Sequence, residues 1–138
     1  MEEGIRKILI VDDDEIYGRI LGTEVRSCGL ESTVVNSLLD LGSVGRLSLY
    51  DAAIIDFHLD KMKGDEIAEY IDKFLLDVPV VMISADESMH ARLNQWPRPV
   101  KGFVSKKVGP PVLIQKVMDI LDGRGNDLRT AYEGVSGK

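Results

Sequence analysis

Cysteine and histidine are scarce in this 138-residue chain: there is one cysteine and there are two histidines. Cys28 alone cannot close an internal disulfide, which fits a reducing compartment, and so few soft or imidazole ligands exclude the usual zinc sites. No apolar run approaches the ~18–20 residues that a membrane span needs. The first residues, Met1-Glu2-Glu3-Gly4, are acidic and lead into no signal-type apolar stretch, so secretion is not expected. A net charge of −6 argues against broad nucleic-acid binding by the whole chain. What is present, 44% hydrophobic and 29% charged residues, suffices for one domain with its own core. The expectation is a cytoplasmic single-domain protein with no membrane segment.

Charge is unevenly spread. Residues 1–60 hold 12 acids and 5 bases, whereas residues 89–116 hold six bases (Arg92, Arg98, Lys101, Lys106, Lys107, Lys116) and no acid. Residues 123–138 contain four glycines and few bulky apolar groups, and read as a tail or the start of a linker after a domain at 1–122.

Four short apolar runs suit strands buried on both faces: Ile8–Val11, Ala52–Ile55, Val78–Ile83 and Gly102–Val104. Ser32–Val35 is a weaker fifth. Between them lie helical periods. Ile16, Ile20, Leu21 and Val25 form one stripe, stopped at Gly29. Ile67, Ile71, Phe74 and Leu75 form another, and Val117, Ile120 and Leu121 a third, opened by Pro110-Pro111. Met89, Leu93 and Trp96 give a thin stripe, and leucines recur at helical spacing over 38–49 despite Gly42 and Gly45. Strand followed by helix, five times over, predicts a doubly wound α/β fold with right-handed crossovers. Ligands of such sheets bind beyond the carboxyl ends of the strands.

Those ends carry Asp12-Asp13-Asp14, Asp56, Ser84 and Ser105-Lys106. Several carboxylates with room for water suit Mg²⁺, which relieves their mutual repulsion. A lysine and a hydroxyl opposite would neutralise phosphoryl oxygens, leaving one carboxylate to act as a nucleophile on phosphorus. Asp14 reads as a helix N-cap and Cys28 as a small core residue. Trp96 fits either the core or a partner anchor.

In Ile8-Leu9-Ile10-Val11-Asp12-Asp13-Asp14, Ala53-Ile54-Ile55-Asp56, Gly64, Val80-Val81-Met82-Ile83-Ser84-Ala85 and Gly102-Phe103-Val104-Ser105-Lys106, the chain resembles the receiver domains of two-component response regulators over residues 6–122. The resemblance implies a flavodoxin-like five-stranded parallel sheet in the order 2-1-3-4-5 with helices on both faces. It makes Asp56 the phosphoacceptor, with Mg²⁺ held by Asp12, Asp13, Asp56 and the backbone carbonyl of His58. Ser84 and Lys106 would contact phosphoryl oxygens and Phe103 would be the aromatic switch. His58 and Asp86 stand where side chains tune water access. Two positions depart from the pattern, with Asp60 and Lys107 where the family usually has proline.

The function so implied is a phosphorylation switch and not an enzyme. A sensor histidine kinase or histidine phosphotransfer protein would supply the phosphoryl group, and a downstream protein would read the result. The output surface expected from the base-rich stretch carries Arg92, Trp96, Arg98 and Lys101, and suits an acidic partner rather than nucleic acid. Two alternatives remain at this point: a small phosphatase resembling the haloacid dehalogenase superfamily, with Asp12 and Asp14 as its aspartate pair, and a receiver that binds a partner without phosphorylation.

Overall fold

The structure, a computed structural model, describes residues 5–59, 63–74, 76–86 and 96–123. Five strands run β1 (Lys7–Val11), β2 (Glu31–Val35), β3 (Ala52–Asp56), β4 (Val80–Ser84) and β5 (Val100–Ser105). They form one sheet in the order β2-β1-β3-β4-β5, and every neighbouring pair is parallel. Three helices are described: α1 (Glu15–Ser27), α2 (Gly64–Lys73) and α3 (Pro110–Leu121).

The two-residue alternation of the strands divides the core between the two faces of the sheet. Leu9, Val11, Ala53, Ile55, Val80 and Met82 pack with Ile67, Ala68 and Ile71 of α2. Ile8, Ile10, Ile54, Val81, Ile83 and Val104 pack with Leu21 and Val25 of α1 and with Leu113, Ile114 and Val117 of α3. Every residue of β3 and β4 is buried, which explains their unbroken apolar runs. At ~1.5–3 kcal/mol for each large aliphatic side chain buried, these two layers hold the strand ends in place.

The structure corrects several of the expected faces. Ile16 and Ile20 are exposed, at 71% and 42%. The buried side of α1 is instead Gly18, Leu21, Gly22 and Val25. The two glycines let the helix settle onto β2, since a Cβ at Gly18 would stand 2.9 Å from Val34 Cγ1 and one at Gly22 3.0 Å from Val34 Cγ2. The expected stop at Gly29 is present, with φ +86° and its N–H donating to the Arg26 carbonyl.

Cys28 is exposed rather than core, because it caps the end of α1. Phe74 is also exposed, since α2 closes at Lys73 and releases the chain there. Residues 38–49 form two short 3-10 segments, Leu38–Leu41 and Val44–Leu49, rather than one helix. Gly42 between them has φ +92°, which α-helical continuation does not allow. β4 begins at Val80 rather than Val78, after Pro79, whose carbonyl bonds Ala53 N–H. Leu75, Met89, Arg92 and Leu93, the departure at Asp60 and the tail beyond 123 lie outside the described residues.

Candidate functional site

Asp12 follows β1 directly, and its N–H donates to the Val35 carbonyl at 3.1 Å. The turn after it closes through its own side chain, with Asp14 N–H donating to Asp12 Oδ1 at 2.9 Å. Asp14 then caps α1, its Oδ1 accepting from Tyr17 N–H at 3.0 Å. This is the cap expected from sequence, and it opens the helix beside the rim. Asp56 is the last residue of β3; its Oδ1 accepts from His58 N–H at 3.3 Å. Asp12 and Asp56 are both buried. Carboxylate oxygens of Asp12, Asp13 and Asp56 all lie within 4.8 Å of one another.

Lys106 reaches into this cluster from the end of β5. Its Nζ is 2.9 Å from Asp12 Oδ2 and 3.3 Å from Asp56 Oδ2. Burial pushes the Asp12 carboxyl above its ordinary 3.8, by more than the hydrogen bonds from Lys106 and Asp14 N–H and the Lys106 charge lower it. Burial alone would lower the Lys106 ammonium, but the hydrogen bond to Asp12 and the charges of Asp12 and Asp56 raise it above 10.5. The lysine therefore stays charged. The strained partner is the Asp12 carboxylate, which is buried and shares one ammonium with Asp56. Hard oxygen donors with surplus negative charge fit Mg²⁺.

Ser84 ends β4, fully buried, one step past Ile83, which pairs in register with Asp56. Its Oγ accepts from Asp86 N–H at 2.9 Å, so its own proton remains free to donate elsewhere. His58 Nε2 lies 3.6 Å from Asp86 Oδ2, and the pair joins the loops after β3 and β4. The Lys106–Lys107 peptide is trans, no described peptide being cis. Ser105 Oγ accepts from Lys107 N–H at 3.1 Å and caps the turn that follows.

A run of rings connects the acceptor loop to β5. Phe57 meets His58 edge-on at 5.0 Å and stacks on Trp96 at 6.4 Å, and Trp96 meets Phe103 at 6.0 Å. Trp96 is half-buried and packs against the core, and its Nε1 is buried without a hydrogen-bond partner among the described residues. Of the output surface, Arg98 and Lys101 are exposed, and Arg92 lies outside the described residues. Arg98 Nε is 3.6 Å from Asp72 Oδ1. Asp72 and Asp77 line one cavity of about 410 Å³ with Arg98 and Lys101. That face is less one-sided than the linear sequence implied, because the sheet order brings Asp72, at the end of α2, and Asp77, just after it, against the start of β5.

The sequence reading missed Tyr17 and Phe57. Tyr17 sits four residues after Asp13, in the first turn of a helix capped by Asp14, but nothing in the sequence ties it to Lys106. Phe57 passes in sequence for one more apolar residue of β3.

The response regulator receiver domain family matches residues 8–118. Two-component response regulator ORR26 of Oryza sativa subsp. japonica is 27% identical over 150 residues, covering 96% of this chain and 25% of that protein. Transcriptional regulatory protein GlrR of Escherichia coli (strain K12) is 27% identical over 115 residues, covering 83% and 26%. The chain thus spans about a quarter of the length of these relatives. Among solved structures, response regulator TrrA from Thermotoga maritima, in complex with Mg(2+)-BeF, superposes with a TM-score of 0.71 at 24% identity, covering 85% of this chain and 100% of that one. The fold is shared with CheY-like receivers such as that of Methanospirillum hungatei JF-1, with a TM-score of 0.65 at 22% identity over 88% of this chain and 97% of that one. Receiver domains are signalling switches of two-component systems, not classical enzymes, and they bind Mg²⁺ at an acidic pocket of the kind formed here by Asp12, Asp13 and Asp56. With the fold, the acidic rim and the family match over most of its length in agreement, the chain belongs to the receiver domains of response regulators.

Proposed function

We propose that this receiver is a phosphorylation-dependent switch in which Asp56 takes a phosphoryl group from a phosphohistidine of a sensor kinase or histidine phosphotransfer protein. The carrying observation is the buried Asp56 carboxylate at a strand end, held 3.3 Å from Lys106 Nζ and within 4.8 Å of two further carboxylates. One Asp56 oxygen attacks phosphorus, the nitrogen–phosphorus bond breaks, and the donor imidazole leaves with its electron pair and takes up a proton. Lys106 and the free Ser84 proton then bond phosphoryl oxygens.

Asp12, Asp13, Asp56 and the His58 backbone carbonyl would hold Mg²⁺, which supplies charge neutralisation for the transferring group. Movement of Ser84 toward the phosphoryl group frees space beside Phe103, and the face with Trp96, Arg98 and Lys101 passes the change to a downstream protein. Intact mass after acetyl phosphate treatment, with and without Mg²⁺, tests this reading. A Mg²⁺-dependent single adduct supports it. An unmodified chain would favour a receiver that works without phosphorylation, and turnover of a generic phosphate ester would favour a phosphatase.

The crowded carboxylates yield a metal test. Asp13→Ala removes one like charge and is expected to raise Tm in chelator while losing the gain in Tm that Mg²⁺ gives the wild type. An unchanged Mg²⁺ response would remove Asp13 from the site. The pH dependence follows from Asp12. Its folded pKa is raised, so as pH falls the folded chain binds this proton before the unfolded chain does. Through this group the metal-free protein gains stability toward acid and loses it as pH rises through the folded pKa. Mg²⁺ must displace that proton, so its stabilisation should be larger at about pH 7.5 than at about pH 5. Melting curves at both values check it.

The His58–Asp86 pair links the loop that follows Asp56 to the loop after β4. His58→Ala and Asp86→Ala are each expected to shorten the lifetime of the acyl phosphate several-fold by opening it to water, with little change in its formation. Decay followed by intact mass reads this, and wild-type lifetimes in both variants would leave the pair as ordinary surface.

A further inference from the structure

Tyr17 belongs neither to the carboxylate cluster nor to the phosphoryl contacts proposed above, yet Lys106 Nζ lies over its ring, 4.6 Å from the centroid. That is within the ~6 Å over which an ammonium is attracted to an aromatic face. The same Nζ is 2.9 Å from Asp12 and 3.3 Å from Asp56, so the ring forms a third wall around one cation. The backbone of Tyr17 is fixed by the bond of its N–H to Asp14 Oδ1, and Tyr17 packs, partly buried, against the core layer that includes Leu21 and Ile114. Its hydroxyl is buried without a hydrogen-bond partner among the described residues, and burial pushes that hydroxyl above its ordinary 10.0. An unpaired hydroxyl is a cost to the fold, so what places Tyr17 here is its ring.

We infer that Tyr17 is a positioning residue for phosphoryl transfer, its ring face holding the Lys106 ammonium at the phosphoacceptor. The inference rests on the reading of Asp56 and Lys106 given above. Lysine has a long flexible stem and a compact charge. Without the ring, its head would be held by carboxylates alone and would follow whichever of Asp12 or Asp56 is the more negative. Transfer changes that balance, because the charge of the attacking carboxylate passes to the phosphoryl oxygens as the acyl phosphate forms. The ring attracts the ammonium equally before and after, and keeps it beside Asp56 throughout.

The test compares acetyl phosphate modification rates, at saturating Mg²⁺, for wild type, Tyr17→Phe and Tyr17→Leu, each also in a Lys106→Met background. Tyr17→Phe keeps the ring and is expected to retain the rate within about twofold, while Tyr17→Leu loses about 5–10-fold. In the Lys106→Met background the leucine substitution should add less than about twofold, since a positioning residue has nothing left to position. Mg²⁺ affinity, read by thermal shift, should be the same in all three Tyr17 forms. A second readout needs no phosphorylation: the Lys106 side-chain protons, assigned in NMR spectra by their loss in Lys106→Met, should be shifted upfield by the ring in wild type and Tyr17→Phe. A wild-type rate in Tyr17→Leu, an equal loss in both backgrounds, or an equal loss in Tyr17→Phe overturns the inference, as does an unshifted Lys106 in the wild type. Wild type that gains no adduct at all would instead sink the phosphoacceptor reading itself, and the positioning role with it.

Discussion

Asp56→Asn is expected to take up no phosphoryl group from acetyl phosphate under conditions that modify the wild type, a loss of at least ~10³-fold. The substitution keeps the size of the side chain but replaces a carboxylate with an amide that is no nucleophile. Asp12 and Asp13 remain in the same cluster, so the variant asks whether either can substitute. Asp12 is the poorer candidate: its Oδ1 is committed to Asp14 N–H at 2.9 Å and its Oδ2 to Lys106 at 2.9 Å. The variant should still fold, and in chelator its Tm should equal or exceed that of the wild type, since one of three crowded negative charges is gone. Intact mass followed by hydroxylamine trapping locates any adduct. Modification of Asp12 or Asp13 in the wild type would overturn the assignment of Asp56.

The parallel sheet was legible because its strands are buried on both faces, so Ile8–Val11 and Ala52–Ile55 stand out as apolar runs against polar flanks. The site was legible for a related reason: acids, a serine and a lysine that end such runs have only the rim to occupy. The faces of α1 were not. Gly18 and Gly22 look like interruptions of a helix, yet they are its contact with Val34, and the eye is drawn to Ile16 and Ile20, which face solvent. Residues 38–49 misled in the opposite direction, since leucine spacing alone does not reveal that Gly42 takes a positive φ. Charge on the Arg98 face depended on topology, because Asp72 is distant in sequence and adjacent only once β4 and β5 pair. Tyr17 was hidden for want of a motif: a tyrosine in a helix announces nothing until the lysine of another strand lies over its ring.

The second large effect is expected at Gly64, where α2 opens. A Cβ there would stand 2.8 Å from the Asp56 carbonyl oxygen and 2.9 Å from Phe57 Cα. Both are backbone atoms, and Gly64 N–H also donates to the Phe57 carbonyl at 3.0 Å. Met82 Sδ, the nearest side-chain atom, is farther off at 3.1 Å, and moving it does not relieve the two backbone contacts, so the acceptor loop or the start of α2 must move. Gly64→Ala is therefore expected to cost about 1–3 kcal/mol, a drop in Tm of roughly 3–12 °C for a domain of this size. It should also slow modification of Asp56 by shifting the carboxylate away from Lys106. Gly102→Ala is the control. A Cβ there would come closer still, 2.6 Å from Ile120 Cδ1. That atom, however, is the end of a half-buried flexible side chain that can take another rotamer, so its Tm should fall by no more than about 1–4 °C. Paired melting curves of the two variants, with acetyl phosphate rates alongside, read the difference. An equal or larger loss in Gly102→Ala would show that closeness of approach, and not the stiffness of what is approached, governs stability at this site.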